Sequence, residues 1–143
     1  MPRLLITGAN RGLGFEFARQ YAADGWDVIA TARNPKHSEE LERLAKNKTV
    51  SLQALDVASE ESVKQLVKAL NGKIVDLLIL NSAIYTRDGN KLGELNFAGW
   101  RESFETNVLG AIRVAEALIE NVAASERKQI AAISTGMAHY KRW

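Results

Sequence analysis

The clearest candidate for chemistry is a glycine-rich segment near the start of the sequence, Thr7–Gly14 (TGANRGLG). An apolar run precedes it and a helical pattern follows it, which predicts a tight turn between a buried strand and a helix. Gly8 can adopt the positive φ of that turn, Gly12 lets the backbone approach a bulky anion, and Gly14 lets the helix pack closely on the sheet. The N–H groups and the positive end of the helix would then bind phosphate. Because glycines occur at many strand–helix junctions, a purely structural role for the segment stays open.

The remainder of the sequence supplies the strands and helices that must hold this turn. Five strands are predicted over residues 4–6, 26–32, 50–55, 74–80 and 129–133. Helical patterns begin at residues 13, 38, 59 and 97, with Ser38 and Ser59 as N-caps, Gly25 as a C-terminal cap and Asn71-Gly72 ending the third helix. This alternation predicts an α/β fold, a Rossmann-type doubly wound parallel sheet with strand order 3-2-1-4-5 and helices on both faces, in three α/β/α layers.

Apolar residues of the first and last helices define the faces that are expected to pack against the sheet. In the first helix the stripe is Leu13, Phe17 and Tyr21, with Ala18 and Ala22 beside it. The last helix is predicted to run without interruption over residues 97–123. Its inward side chains are expected to be Trp100, Phe104, Val108, Ile112 and Ala115.

Length and composition restrict the class of protein. The 143 residues predict a single domain, and an apolar fraction of 46% is enough for a core. The net charge is only +2 and the positive charges are dispersed, which argues against binding to nucleic acid or to a membrane surface. The sequence has no cysteine, no metal-ligand spacing, no secretory leader and no apolar run that could span a bilayer. A cytoplasmic protein without a metal site is therefore expected.

Four motifs, in order, resemble those of the short-chain dehydrogenases/reductases. They are Thr7-Gly8-x-x-x-Gly12-x-Gly14, Leu55-Asp56-Val57, Asn81-Ser82-Ala83-Ile84 and Asn107-Val108-Leu109-Gly110. The resemblance covers residues 3 to about 137, and residues 92–95 with Trp100 and Phe104 are most similar to the carbonyl-reductase and C-factor-like branch. It implies that Asp56 lies against the adenine ring of the cofactor. Together with the charge pattern described next, which adds Arg11 and Arg33, it predicts as cofactor-binding Thr7, Gly8, Asn10, Arg11, Gly12, Leu13, Gly14, Arg33, Asp56, Val57, Asn81, Ser82 and Ala83.

Charge at the end of the second strand bears on the choice of nicotinamide cofactor. NAD-binding proteins usually place a carboxylate there, which accepts hydrogen bonds from the ribose. Here the strand ends Thr31-Ala32-Arg33, and Asp27 lies at its opposite end. Arg33 and Arg11 could instead pair with a 2′-phosphate, although either alone could be a solvated surface charge. NADP(H) is therefore predicted in preference to NAD(H).

The resemblance also implies hydride transfer between the nicotinamide and a small carbonyl or alcohol substrate. In the family, a tyrosine exchanges the hydroxyl proton, and a lysine four residues later lowers its pKa. A serine after the fifth strand orients the substrate oxygen; Thr135 is its direct match here, and Ser134 is the neighbouring hydroxyl. Asn107 matches the residue that holds a water and helps to position the lysine. Asn107 is predicted on the inward face of the helix. Its amide could alternatively have only a structural role, with its hydrogen bonds satisfied by a neighbouring backbone group.

The last residues depart from the family pattern. Tyr140 comes earlier than the family's tyrosine, Lys141 is its immediate neighbour, and the sequence ends at Trp143. Because adjacent side chains point in different directions on either a helix or a strand, we interpret the pair as part of an irregular tail. The expectation is a shortened reductase with impaired activity. His139 is assigned no role, and His37 is expected to be solvated.

Three interpretations of function stay open at this point. The first is an NADP(H)-dependent reductase in shortened form, which keeps its cofactor-site groups. The second is a non-catalytic module that lacks the family's C-terminal elements and binds nucleotide or forms homo-oligomers through the open edge of the fifth strand. The third is an inert truncation product.

Overall fold

The computed structural model describes residues 1–135, and within them five parallel strands form one sheet. The strands are β1 (Arg3–Ile6), β2 (Asp27–Ala32), β3 (Val50–Ala54), β4 (Leu77–Leu80) and β5 (Gln129–Ala132). Their order across the sheet is β3-β2-β1-β4-β5, so the predicted topology is confirmed. The fourth strand begins three residues later than expected, because the chain from Ile74 enters the sheet only at Leu77.

Helices connect the strands and cover both faces of the sheet. They are α1 (Gly12–Ala23), α2 (Glu39–Leu44), α3 (Glu60–Leu70), α4 (Phe97–Phe104) and α5 (Gly110–Ala123). A short 3₁₀ helix spans Pro35–His37, and a π-helical turn, Glu105–Leu109, joins α4 to α5. None of the helices in residues 1–135 is long and apolar enough to cross a membrane.

Strand β1 lies at the centre of the sheet and contributes to both hydrophobic layers. Leu4 and Ile6 are fully buried in the layer that α1 and α2 cover, and Leu5 is fully buried in the layer that α3 and α5 cover. Successive side chains of a strand point to opposite faces, so a continuous apolar run is what a doubly covered strand requires. The site at the end of β1 therefore starts from a rigid support.

The predicted helix ends are confirmed. Ser38 and Ser59 cap α2 and α3, their hydroxyls accepting hydrogen bonds from Leu41 N and Ser62 N at 3.3 and 3.1 Å. Gly25, at φ 84°, follows α1, and Trp26 N donates back to Tyr21 O at 3.0 Å. This Gly-based arrangement satisfies carbonyls that the end of a helix would otherwise leave unpaired.

The prediction for the inward face of the last helix is wrong. Trp100, Phe104, Val108 and Ile112 are 40–58% exposed, Ala115 is only half-buried, and the helix is interrupted by the π turn. The buried residues of α5 are instead Gly110, Val114, Leu118, Asn121 and Val122.

Close approach of the helix to the sheet explains this choice of face. A Cβ added at Gly110 would lie 2.7 Å from Cγ2 of Val57, so only a glycine permits the contact. The helix has two apolar stripes, and the stripe that carries Gly110 can come nearer to the sheet. In α1 only Leu13 departs from the predicted stripe, being 63% exposed. Phe17 and Tyr21 are partly buried against the core, and Ala18 and Ala22 beside them are buried, as predicted.

We predict that substitutions on the two stripes of α5 have very different effects on stability. Leu118→Ala removes a fully buried side chain and should lower the free energy of unfolding by about 2–5 kcal/mol. The matched variant Ile112→Ala, at a position 58% exposed, should change it by no more than about 0.5 kcal/mol. Urea unfolding followed by circular dichroism measures both, and a larger loss for Ile112→Ala would contradict the assignment of faces.

Candidate functional site

A cleft of about 670 Å³ opens at the carboxyl ends of β1 to β4. It lies where the strand order reverses between β1 and β4, which is the position at which doubly wound sheets bind ligands. The lining residues that the sequence predicted as cofactor-binding are Gly8, Asn10, Arg11, Gly12, Arg33, Asp56, Val57, Asn81, Ser82 and Ala83.

Three of the predicted cofactor residues do not line the cleft. Thr7 is buried beneath it, and its hydroxyl accepts hydrogen bonds from Asn81 N and Ser82 N at 2.9 and 3.0 Å. Gly14 lies under the turn, where an added Cβ would be 2.1 Å from Gly8 O. These two residues support the site from below, whereas Leu13 is exposed outside the cleft.

The turn after β1 has the geometry that its glycines predict. Gly8 has φ 65°, and its carbonyl accepts a hydrogen bond from Asn81 Nδ2 at 3.1 Å. Gly12 has φ 57°, and an added Cβ there would meet nothing within 4 Å. The N–H groups of residues 12–14 precede the first bond of the helical type, Phe15 N to Arg11 O. The start of α1 can therefore offer these N–H groups to an anion.

Two arginines give one side of the cleft a positive charge. Arg11 and Arg33 are both exposed and both line it, and the end of β2 carries no carboxylate. Asp27 is at the opposite end of β2, where its Oδ2 lies 2.6 Å from Arg3 Nε. That carboxylate is thus engaged away from the cleft.

The loop after β3 forms a second wall, which internal hydrogen bonds hold in place. Asp56 Oδ1 accepts from Ala58 N at 3.0 Å, and Asp56 N donates to Ser62 Oγ of α3 at 2.8 Å. Val57 is buried at the base of this wall. These bonds connect the loop to α3 where it lines the cleft.

Asn107 lies beside the cleft, and its position differs from the prediction. The residue lies in the π turn and is exposed, not buried on an inward face. Its Oδ1 accepts from Ile84 N and its Nδ2 donates to Ile84 O, both at 2.8 Å. The amide is satisfied by a neighbouring backbone group, the alternative that the sequence left open. Asn107 lines a shallow hollow of about 330 Å³ that shares Ile84 with the cleft.

The remaining catalytic candidates are not brought into the cleft. Ser134 and Thr135 are exposed and follow β5, whose end is tied to β4 by the bond from Ile133 N to Leu80 O at 3.0 Å. Tyr140, Lys141 and His139 lie outside the described residues.

Several cleft residues had no individual signal in the sequence. His37 is exposed as expected, yet it also lines the cleft. Glu105 and Thr106 directly precede Asn107, and the path of the chain from the end of α4 brings them to the cleft. The other lining residues that the sequence did not single out as site residues are Ala32, Asn34, Leu55, Ala58, Ile84 and Glu102. Within residues 1–135, no group of three or more His, Cys, Asp or Glu residues could hold a metal ion.

The chain is similar in sequence to proteins of one known family. The sequence model of the short chain dehydrogenase family matches residues 3–142. Human retinol dehydrogenase 8 is 34% identical over 143 residues, which cover 95% of this chain and 45% of that protein. The chain spans about half the length of the curated relatives that it matches.

Solved structures give the same result for the fold. A carbonyl reductase from Pseudomonas aeruginosa PAO1 superimposes with a TM-score of 0.88 at 28% identity, covering 96% of this chain and 61% of that one. The same reductase has been solved in complex with NADP. Menthone neomenthol reductase from Mentha piperita gives a TM-score of 0.85 at 28% identity, covering 96% and 62%. On this evidence the chain belongs to the short-chain dehydrogenase/reductase family, with carbonyl reductases among its structural neighbours.

Proposed function

We propose that the cleft binds NADP(H) and that the protein takes part in hydride transfer between this cofactor and a small carbonyl or alcohol substrate. The observation that carries the proposal is the joint placement of Arg11 and Arg33 on a cleft whose β2 end has no carboxylate. Guanidinium groups bind phosphate through paired, charge-assisted hydrogen bonds, so the two arginines favour a 2′-phosphate over a free ribose hydroxyl. The NADP complex of the Pseudomonas carbonyl reductase supports the same cofactor class.

The residues present fit a dinucleotide. The cleft volume of about 670 Å³ is within the range of cofactor sites, and the start of α1 can hold a pyrophosphate. Open space beside Gly12 lets an anion approach the backbone. Since the 2′-phosphate belongs to the adenosine half, Arg11 and Arg33 direct that half toward the ends of β2 and β3. We therefore assign the adenine to the wall formed by Asp56 and Val57.

The nicotinamide half would lie on the β4 side of the cleft, near Asn81, Ser82 and Ala83. When bound, the nicotinamide supplies or accepts the hydride. Asn107 contributes by holding the backbone of Ile84 through both amide atoms, which fixes the segment after β4. Thr135 follows β5, next to β4, and does not line the cleft itself; we propose that it offers its hydroxyl to the substrate oxygen outside the cleft, with Ser134 as the neighbouring hydroxyl.

Proton transfer in the family uses a tyrosine that is followed four positions later by a lysine, and residues 1–143 contain no such pair. A free tyrosine titrates near about pH 10, so a nearby cation must stabilise its phenolate at neutral pH. No tyrosine in the sequence is followed by a lysine four positions later, and Tyr140 and Lys141 are adjacent. We therefore propose that a chain of these 143 residues binds NADP(H) with little or no turnover.

Removing the two arginines should change cofactor preference. In the double variant Arg11→Ala/Arg33→Ala, affinity for NADPH should fall about tenfold or more, because charged hydrogen bonds to the 2′-phosphate are lost. Affinity for NADH, which lacks that phosphate, should stay nearly unchanged. Isothermal titration calorimetry measures both, with Arg43→Ala on the exposed face of α2 as a control. Tighter binding of NADH than NADPH by the unaltered chain would contradict the assignment.

Turnover by the 143-residue chain tests the second part of the proposal. With NADPH and a panel of aldehydes and quinones, we expect no loss of absorbance at the nicotinamide band above the rate without protein. The physical reason is that no tyrosine in these 143 residues is followed by a lysine four positions later, which is the spacing that lets the family's lysine stabilise the phenolate. Robust turnover that Tyr140→Phe abolishes would show that Tyr140 does act as the proton donor.

A further inference from the structure

Arg113 of α5 contacts both walls of the cleft. Its Nη1 donates to Val57 O at 2.6 Å, and its Nη2 donates to Glu105 Oε1 at 2.5 Å. Val57 and Glu105 both line the cleft, whereas Arg113 is not among the lining residues. The guanidinium thus joins, from behind, the loop after β3 and the helical segment opposite it.

The π turn makes this connection possible. Glu105 and Arg113 are eight residues apart, which on a regular α-helix would set their side chains about 80° apart around the axis. A π turn has more residues per turn than an α-helix, so the turn at Glu105–Leu109 reduces that offset, and the two side chains meet. The interruption of the helix therefore has a consequence for the cleft.

Val57 is constrained from the same direction by a second contact. The packing of α5 at Gly110 leaves no room for a Cβ, which would lie 2.7 Å from Val57 Cγ2 and 3.2 Å from Val57 O. The absence of a Cβ at Gly110 lets Val57 pack closely on α5, and Arg113 donates to the Val57 carbonyl from the same helix. With 19% of its side chain exposed, Arg113 is shielded enough for its geometry to be well defined.

We propose that Arg113 is a positioning residue that sets the separation of the cleft walls formed by Val57 and Glu105, and thereby the fit of the adenosine half of the dinucleotide. The inference rests on the proposed function, which assigns adenosine to this end of the cleft. Arginine suits the role because its planar fork can donate to two acceptors at fixed angles, which a lysine cannot reproduce.

Binding of the two halves of the cofactor tests this assignment. The probes are adenosine 2′,5′-bisphosphate, adenosine 5′-monophosphate and nicotinamide mononucleotide, titrated calorimetrically into the 143-residue chain. Arg113→Met should weaken binding of both adenosine nucleotides about tenfold, a typical coupling within a hydrogen-bonded network. The ratio between the two adenosine nucleotides should stay constant, because Arg11 and Arg33 are untouched, and nicotinamide mononucleotide should bind as before.

Controls separate positioning from general stability. Arg101→Met changes an exposed arginine of α4 and should leave all three affinities unchanged. Arg113→Lys keeps the positive charge and the aliphatic part of the side chain, and it should lose most of the affinity for the two adenosine nucleotides that Arg113→Met loses. It replaces Arg113→Met in the test if that variant does not fold. The double variant Arg113→Met/Glu105→Gln should bind no more weakly than Arg113→Met, since both act through one contact.

The outcomes distinguish this inference from the proposed function. Failure of the unaltered chain to bind adenosine 2′,5′-bisphosphate would overturn both. If the unaltered chain binds it and folded Arg113→Met or Arg113→Lys binds it equally well, the inference alone is wrong. An equal loss for adenosine and nicotinamide probes would likewise overturn the inference, because it would indicate a general structural role.

Discussion

The close packing of Gly14 against the carbonyl of Gly8 determines where α1 leaves the sheet, and the shape of the cleft depends on it. An added Cβ at Gly14 would lie 2.1 Å from Gly8 O and 2.5 Å from Asn81 Nδ2, so no other side chain fits without moving backbone. Thr7 completes the junction by accepting hydrogen bonds from the first two residues after β4. The ends of β1 and β4 and the start of α1 are thereby held together at the point where the strand order reverses.

Much of this arrangement can be predicted from local sequence. The apolar run of β1, the glycines that follow it and the caps at Ser38 and Ser59 are short-range signals, and each leads to the observed structure. Strand order follows from the alternation of strands and helices together with the family motifs. The residues at the ends of β1 to β4 meet in one cleft because parallel strands share a carboxyl edge.

The phase of the last helix could not be predicted in the same way. Residues 97–123 carry two apolar stripes, and periodicity alone does not show which of them faces the sheet. The choice of face rests on a tertiary contact, the close packing of Gly110 against Val57. The π turn contains both the exposed Asn107 and Glu105, which lines the cleft and which the sequence does not single out.

The central claim is that the cleft at the end of β1 holds the phosphates and adenosine of NADPH. Heteronuclear NMR of the ¹⁵N-labelled chain during titration with NADPH tests it most directly. We expect the largest amide shifts at residues 11–14 and 56–58. Arg3, Asp27 and Asp76, which lie at the amino ends of β1, β2 and β4 on the opposite side of the sheet from the cleft, should change little. Shifts confined to that opposite side, or to the hollow beside Trp100, would contradict it.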